Sequence, residues 1–570
     1  MLAHIAYIRY IVATMYIDRS QITVKGHTYH RVLLRQSYRD QGHVKHRTIA
    51  NLSKCTAAEI QAIELAFKHK NDLEFFQPPG PPEPLHLRQG PSLGAVWVLY
   101  QLAERIGLVQ ALGADRPGKL ALWQVIARAM DQGSRLSAVR LAGSHAACDV
   151  LRLEAFNEDD LYTNLAWLTT HQARIEDRLF GQLHPQTCPE IFLYDVTSSY
   201  LEGVQNALAA FGYNRDGKKG KRQLVLGLLC DAQGNPLSIE VFAGNTTDTK
   251  TLGAQIQKAA QRFGAQGVTF VGDRGMIKGP QIKALGQQSF HYITAITKPQ
   301  IESLLAKQVF QLELFDQALA EVSSQAENVR YILRRNPQRA EEIQQNRHSQ
   351  QAALERCLQE RNHYLEQHAK AQVTVALKRA QARAVQLKLD GWITLVAQDR
   401  KLVLQSNAES LAEVQKLDGC YALKTDLPAA QASAQVVHDR YKDLALVEQN
   451  FRNCKTMELE LRPVHVRLEA STRGHALVVM LAYRLMRELH GYWAHEDLKV
   501  TEGLEQLSQL CVTEVLVQGE VKDQLVPEGR AQVKKLMALA QVEPPKKLRY
   551  SGQIVTTKKK LMNSRTKRCK

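Results

Sequence analysis

Apolar residues recur every second position in some stretches of the chain and every third or fourth in others, and the changes of period divide it into segments. HTYHRVLLRQSYRD (27–40) and HVKHRTIANLS (43–53) read as two strands around Gln41-Gly42, with a helix from about Thr56, predicting a small N-terminal α/β module over 1–77. PPGPPEP (78–84) sustains neither helix nor central strand, so 78–90 is expected to be a semi-rigid linker. The helix-period spacing of Trp97, Leu99, Leu102, Ile106 and Leu108 opens an all-helical module over 91–187. Next come IFLYDV, QLVLGLLC and LSIEVFAG, a helical run from about Thr247 to Phe263, and VTFVGDRG. Asp231–Pro236 has the Gly, Asn and Pro chemistry of a hairpin loop, so two antiparallel pairings and a helical crossover are expected in 188–298.

Residues 299–435 hold a Gln-, Glu-, Ala- and Arg-rich helical tract whose Leu354, Leu358 and Leu365 form a seam, suited to a coiled-coil dimer or to an intramolecular helical hairpin. ITLVA, KLVLQ and CYALKTDL behind it read as short strands. This block interrupts a core that resumes over 436–500, where ALVVMLAYRLM (476–486), broken by Arg484, is too short to span a bilayer and reads as a buried helix. Residues 501–570 form a C-terminal segment with ten Lys or Arg and no acid from Lys546 to Lys570, suited to nonspecific phosphate attraction. The expected fold class is α/β: a mixed-sheet core with a large α+β insertion, plus helical and small N-terminal modules.

Composition narrows the partners. The chain of 570 residues is 44% hydrophobic and 23% charged, ordinary globular material for several modules rather than a disordered chain. Lys and Arg number 74 against 57 Asp and Glu, a net +17 that suits a polyanion such as nucleic acid. Nine cysteines without a C-x-x-C fit reduced thiols in a cytoplasm, with no structural zinc. MLAHIAYIRYIVATMY at the start is interrupted by Arg9 and lacks the leader pattern of a signal peptide; Met15 is an alternative start. No membrane partner is expected.

The candidate chemistry lies in acids. Asp195 follows IFLY, at what reads as a strand end, and Asp273 follows VTFVG, so two core strands bring carboxylates together where a divalent cation suits them. Tyr441, Glu448 and Lys455 are spaced by sevens in HDRYKDLALVEQNFRNCK, with Arg452 four residues after Glu448, which places them on one helix face. An acid flanked by an aromatic and bases completes a metal site while its neighbours hold phosphates. Arg274 beside Asp273 is a further candidate for shaping the site. Asp216–Arg222, with two glycines and four cations, suits either a phosphate approach or a solvated loop. Tyr200 and Tyr441 lack the Arg/His surroundings of a tyrosine recombinase, and His465 and His475 receive no catalytic role.

YDVTSSYLEG, GYNRDGKKGKRQLVLGLL, AGNTTDTKTL, GDRGMI, DGCYALKTDL and YKDLALVEQNFRNCK together resemble bacterial insertion-sequence transposases of the DDE group with a Tyr-Arg-Glu-Lys signature, from about Glu190 to His490. The resemblance implies a ribonuclease-H-like core, with Asp195, Asp273 and Glu448 as catalytic acids and metal ligands, and Tyr441 and Lys455 as signature positions on DNA, beside Arg452 and Arg274. It implies Mg²⁺, with Mn²⁺ able to replace it, as two ions about 4 Å apart. The implied partners are double-stranded DNA, both terminal inverted repeats and target, and a second copy of the chain, in a cytoplasmic, DNA-associated setting. The departure is Leu444, where the signature has Arg. It keeps open two rivals: a catalytically silent element-end binder and a metal-dependent nuclease without strand transfer.

Overall fold

The computed structural model describes residues 14–72, 85–203, 205–213, 215, 217–218, 220–324, 328–457, 459–461 and 465–558. Most of the first sixteen residues, the run 78–84 and the end of the basic tail fall outside them. The described residues form two compact units, one within Met1–His86 grouped with Val517–Glu520, the other from Leu87–Leu516 and Val521–Lys570.

The smaller unit is a three-stranded antiparallel sheet, β1 (Met15–Val24), β2 (His27–Asp40) and β3 (His43–Asn51), with a helix at Ala57–Lys68. The sequence pattern yields only β2 and β3. It misses β1 because DRSQITV carries few apolar residues and most of the strand is exposed, so its partner in register, not burial, defines it. The helix begins where expected: Thr56 and Glu59 form a reciprocal capping box that satisfies two otherwise orphaned amides.

The larger unit opens on β4 (His86–Ser92), so part of the expected linker is strand. Helices at Gly94–Arg105, Arg116–Met130 and Glu158–Leu183 follow, the last capped by Asn157 and Asp160. The core sheet comes next: β5 (Ile191–Tyr200), β6 (Gln223–Cys230), β7 (Pro236–Ala243), a helix at Asp248–Gln261, β8 (Thr269–Gly272) and β9 (His291–Ala295). β5, β6 and β7 are antiparallel neighbours, whereas β8 lies parallel to β5, and β9 parallel to β8. This spatial order, β7-β6-β5-β8-β9, is that of a ribonuclease-H-like sheet. The β6–β7 turn holds because Asp231 Oδ1 accepts from the Gln233 and Asn235 amides at 3.0 and 2.8 Å.

After β9 the chain makes β10 (Ala320–Ser324) and β11 (Val329–Arg335), then the long helix Pro337–Gln367, the helix Val373–Gln386, the hairpin β12 (Ile393–Gln398) and β13 (Lys401–Ser406), and β14 (Cys420–Thr425). Strands β10, β11 and β14 join the core sheet, β14 antiparallel to β9, extending it to eight strands. Leu354, Leu358 and Leu365 bury against Ala380, Ala384 and Leu395, so the seam is filled within the chain, as an intramolecular hairpin requires.

The helix Glu469–Tyr492 contains the apolar run 476–486, buried throughout except at Arg484, and packs on Glu158–Leu183, Arg116–Met130 and β7. Its closest approach is at Gly474, where a Cβ would lie 2.1 Å from the Leu165 carbonyl oxygen, so any side chain there would push the helices apart. β15 (Cys511–Val517), β16 (Glu520–Leu525) and β17 (Lys547–Leu548) complete a second sheet in the order β17-β16-β15-β4. Among the described residues no helix is long and apolar enough to cross a membrane.

Candidate active site

Asp195 sits at the fifth of ten positions of β5 rather than at the strand end that IFLYDV suggested, because the pairing with β6 runs on to Tyr200. Asp273 is the first residue beyond β8. The parallel register pairs Tyr194 with Gly272, and its next step sets Asp195 beside Asp273. The third acid comes from a helix, Leu444–Arg452, that buries Leu444, Val447, Asn450 and Phe451 and leaves Glu448 exposed.

Tyr441, Glu448 and Lys455 do not share one continuous α-helix. Tyr441 belongs to Ala434–Lys442, whose first turn is capped by Ser433. The helix closes at Asp443, where the Leu446 amide reaches the Asp443 carbonyl in an i to i+3 turn. Lys455 lies in a π-helical turn, Asn453–Met457. A tight turn on one side of Glu448 and a wide turn on the other leave all three side chains lining one cleft of about 910 Å³, with Asp195, Asp273 and Arg452.

Asn450 fixes the helix that carries Glu448. Its Nδ2 donates to the Gly234 carbonyl at 2.8 Å and its Oδ1 accepts from the Tyr483 hydroxyl at 2.7 Å. Arg487 holds the same β6–β7 turn through the Gly234 and Gln233 carbonyls at 2.5 and 2.6 Å. The helix is thus pinned to the core sheet by a largely buried polar network, which fixes direction more sharply than apolar packing does.

Electrostatics couple the three acids. Burial raises Asp195 most, opposed by the Val196 amide; the charges of Asp273 and Glu448 raise it further, and Arg215 lowers it, for a net pKa of about 7. The Tyr441 hydroxyl donates to Asp273 Oδ1 at 3.2 Å, and burial followed by the Asp273 charge drives the phenol well above its ordinary value. Lys455, 8% exposed, donates to Thr197 Oγ1 at 2.9 Å, two residues along β5 from Asp195.

The cations answer a question posed by Leu444, which lines the cleft and is nearly buried. Of the basic residues flanking position 444, Lys442 and Arg452 line the cleft. Arg440 is turned to Asp443 at 3.1 Å. Arg274 is exposed and meets the site through its backbone amide, which donates to Asp273 Oδ1 at 2.7 Å.

The residue that sequence reasoning passed over is Arg215. Its Nη2 donates to Asp248 Oδ1 at 2.5 Å and its amide to Ser198 Oγ at 3.0 Å, which brings a long loop back over β5. Gln223 ties that loop down, donating from Nε2 to the Tyr213 and Gly244 carbonyls at 3.0 and 2.8 Å. The signal was in the glycines: a Cβ on Gly212 would lie 2.2 Å from the Gly244 carbonyl oxygen, so FGY (211–213) and AGNTT cross in close contact. In the Asp216–Arg222 loop, Lys221 pairs with Glu202 at 2.8 Å and Arg222 lies over Phe211; Asp216 and Lys219 fall outside the described residues. His465 is exposed and His475 buried, and neither lines the cleft.

Among the described residues no three His, Cys, Asp or Glu side chains are gathered tightly enough to hold a metal ion by themselves. The three carboxylates nevertheless suit a divalent cation: they are hard oxygen donors facing one cleft, and the repulsion that raises Asp195 is what such a charge relieves.

A sheet in ribonuclease-H order with acids on its two central parallel strands and on a following helix is the architecture of a metal-dependent nucleic-acid-processing enzyme. Residues 186–485 match the family model described as Transposase DDE domain, and the chain belongs to that family, whose members use divalent metal ions. Residues 17–78 match the model described as IS1634 family transposase, N-terminal domain, which makes the protein an insertion-sequence DNA transposase. No curated protein matches the chain. Among solved structures, the cryo-EM structure of the piggyBac transposase synaptic complex with hairpin DNA aligns at 10% identity over 74% of this chain and 69% of that chain. Its TM-score of 0.31 is too low to bear on the site.

Proposed function

We propose that this transposase cleaves the terminal inverted repeats of its element and joins the freed ends to target DNA, with Asp195, Asp273 and Glu448 as the reacting centre's carboxylates. The observation that carries this reading is their convergence, from two parallel core strands and one pinned helix, on a single cleft also lined by Arg215, Lys442, Arg452 and Lys455. The three acids would hold Mg²⁺, or Mn²⁺ in its place, which when bound would supply Lewis acidity for a water or 3′-hydroxyl and for the charge on the leaving oxygen.

The remaining work falls to the chain itself. Tyr441 orients Asp273 through its hydroxyl, and Lys455, braced on Thr197, brings a cation beside Asp195. Lys442 and Arg452 supply charge for backbone phosphates near the position that Leu444 leaves apolar. Those cations favour an active enzyme over a silent end-binder. Two ends must be brought together, so the working form is a homodimer on DNA, in the cytoplasm.

The test is Glu448→Gln assayed with Mg²⁺ on a plasmid carrying the native element ends, beside wild type with and without EDTA. The variant is expected to bind ends within about twofold of wild type and to lose both cleavage and joining, as wild type does in EDTA; a single charge on an exposed position alters binding little. Normal cleavage by the variant would overturn the assignment of the acids. Cutting without joining by wild type would make the protein a nuclease.

A further inference from the structure

Behind the turn that carries Lys455, the fold buries two guanidinium groups, and among the described residues no carboxylate is hydrogen-bonded to either. Arg128, in the helix Arg116–Met130, is 6% exposed, and Arg135, which opens the helix Arg135–Ser144, is 5% exposed. Arg128 donates to the Gln132 and Gly133 carbonyls at 2.6 and 2.9 Å. Arg135 donates to Gln124 Oε1 at 2.6 Å and to His475 Nδ1 at 3.0 Å. All these acceptors are neutral. Burial, then the charges of Arg128 and Arg135, hold His475 far below its ordinary pKa, so its Nδ1 offers a lone pair while its ring also hydrogen-bonds to the Leu461 backbone.

The two arginines line one cavity of about 260 Å³. Among the described residues the acids near it are few. Glu460 is exposed at its wall, and Asp131, whose charge also reaches Arg128, is engaged by the Ser137 hydroxyl. Tyr162 and His465 complete the polar lining. Burial, then the Arg128 charge, brings Arg135 down to about 9, and burial brings Arg128 to about 10, so both stay charged at neutral pH. Buried charge of one sign that neighbouring acids offset only in part is costly, and the cost falls when an anion enters.

We propose that this cavity is a binding site for a phosphate-class oxyanion, gripped by the guanidinium groups of Arg128 and Arg135. Planar guanidinium forks match the oxygens of a phosphate, and their neutral partners fix them in place while leaving further N–H groups to donate. At roughly 30 Å³ per water, the cavity has room for about eight waters, enough for one phosphate group. Its wall is joined to the candidate active site: the Leu459 amide donates to the Asn453 carbonyl at 3.3 Å and the Leu461 amide to the Cys454 carbonyl at 2.9 Å, both in the turn that holds Lys455. The oxyanion comes either from free phosphate or from the DNA backbone. The site does not depend on the assignment of the three carboxylates.

The experiment is thermal melting of the full-length protein in EDTA against inorganic phosphate at constant ionic strength. Wild type should gain a saturable rise in midpoint. Glu460→Gln, which removes the wall carboxylate from an exposed position, should reach half-saturation at several-fold lower phosphate, and Arg135→Met should lose the response. Lys455→Met should keep it, which separates this cavity from the catalytic cleft. If Arg135→Met does not fold, the wild-type, Glu460→Gln and Lys455→Met curves still decide. A response that is unsaturable, unchanged in Glu460→Gln or lost in Lys455→Met overturns the proposal. With element-end DNA bound, loss of the phosphate response identifies a backbone phosphate as the occupant, and its persistence identifies free phosphate. In the first case the logarithmic salt dependence of end binding by Arg135→Met should fall by about 0.9, the loss of one phosphate contact.

Discussion

Asn450→Leu tests whether a buried polar pin, rather than apolar packing, aims Glu448. The side chain is 2% exposed, and leucine is close to it in volume, so the change removes hydrogen bonds without opening a large cavity. Three contacts are lost, to the Gly234 carbonyl, the Tyr483 hydroxyl and the Cys230 thiol. Tyr483 loses its 2.7 Å acceptor, whereas the Gly234 carbonyl keeps its bond from Arg487. The Tyr483 hydroxyl loses its Asn450 acceptor, at about 1–3 kcal/mol, and the Gly234 carbonyl loses one of its two bonds, at about 1, a cost of about 2–4 kcal/mol to which the weak thiol contact adds little. The apolar gain of leucine offsets about 1 kcal/mol of that, leaving a net loss of roughly 1–3. Urea unfolding should show this loss. Cleavage of element-end DNA should fall more than about tenfold, since the helix can rotate and a misplacement near 1 Å is enough, while end binding stays near wild type. A variant as stable as wild type, or one that is destabilised yet cleaves normally, would refute the idea that Asn450 positions Glu448.

Asp195→Asn should stabilise the metal-free protein in a pH-dependent way. A carboxyl raised from 3.8 to about 7 costs the fold nothing below its unfolded pKa, an increasing amount as pH climbs through that window, and the full amount above it. At about 1.4 kcal/mol per pH unit the ceiling is about 4 kcal/mol at pH 8. Melting in EDTA should therefore separate variant from wild type at pH 8 and bring them together near pH 4; a gap independent of pH would contradict the electrostatic account. Leu444→Arg restores the signature cation and should raise element-end affinity by about tenfold, the worth of one charge-assisted contact. An unchanged binding curve would mean that Lys442 and Arg452 already fill that role.

What the sequence made legible follows from the range of the interactions involved. The turn at Asp231–Asn235 and the cap at Thr56 are local, made by residues two to four apart, and they stand where the pattern puts them. β1 and the union of β14 with the core sheet are decided by partners far away in sequence, and neither has a signature of its own. Leu423, Ala422 and Thr425 are buried because β9 and β11 flank them, so a strand that reads as part of an insertion belongs to the sheet that positions the acids.

The same distinction explains the site. Seven residues make nearly two helical turns, about 20° short of a full repeat, so the spacing of Tyr441, Glu448 and Lys455 survives where the continuous helix does not. The i to i+3 turn at Asp443 and the π turn at Asn453 depart from the α-helix in opposite directions, one tighter and one wider, and leave the three residues on one cleft. Arg215 had no such periodicity to reveal it, because its place depends on Gln223 gripping two carbonyls and on two glycines that let FGY (211–213) and AGNTT cross. Spacing identifies groups that share an element. Groups delivered by a loop are found only through the contacts that hold the loop, and here a cation reaches Asp195 by that second route, unmarked by the signature motif.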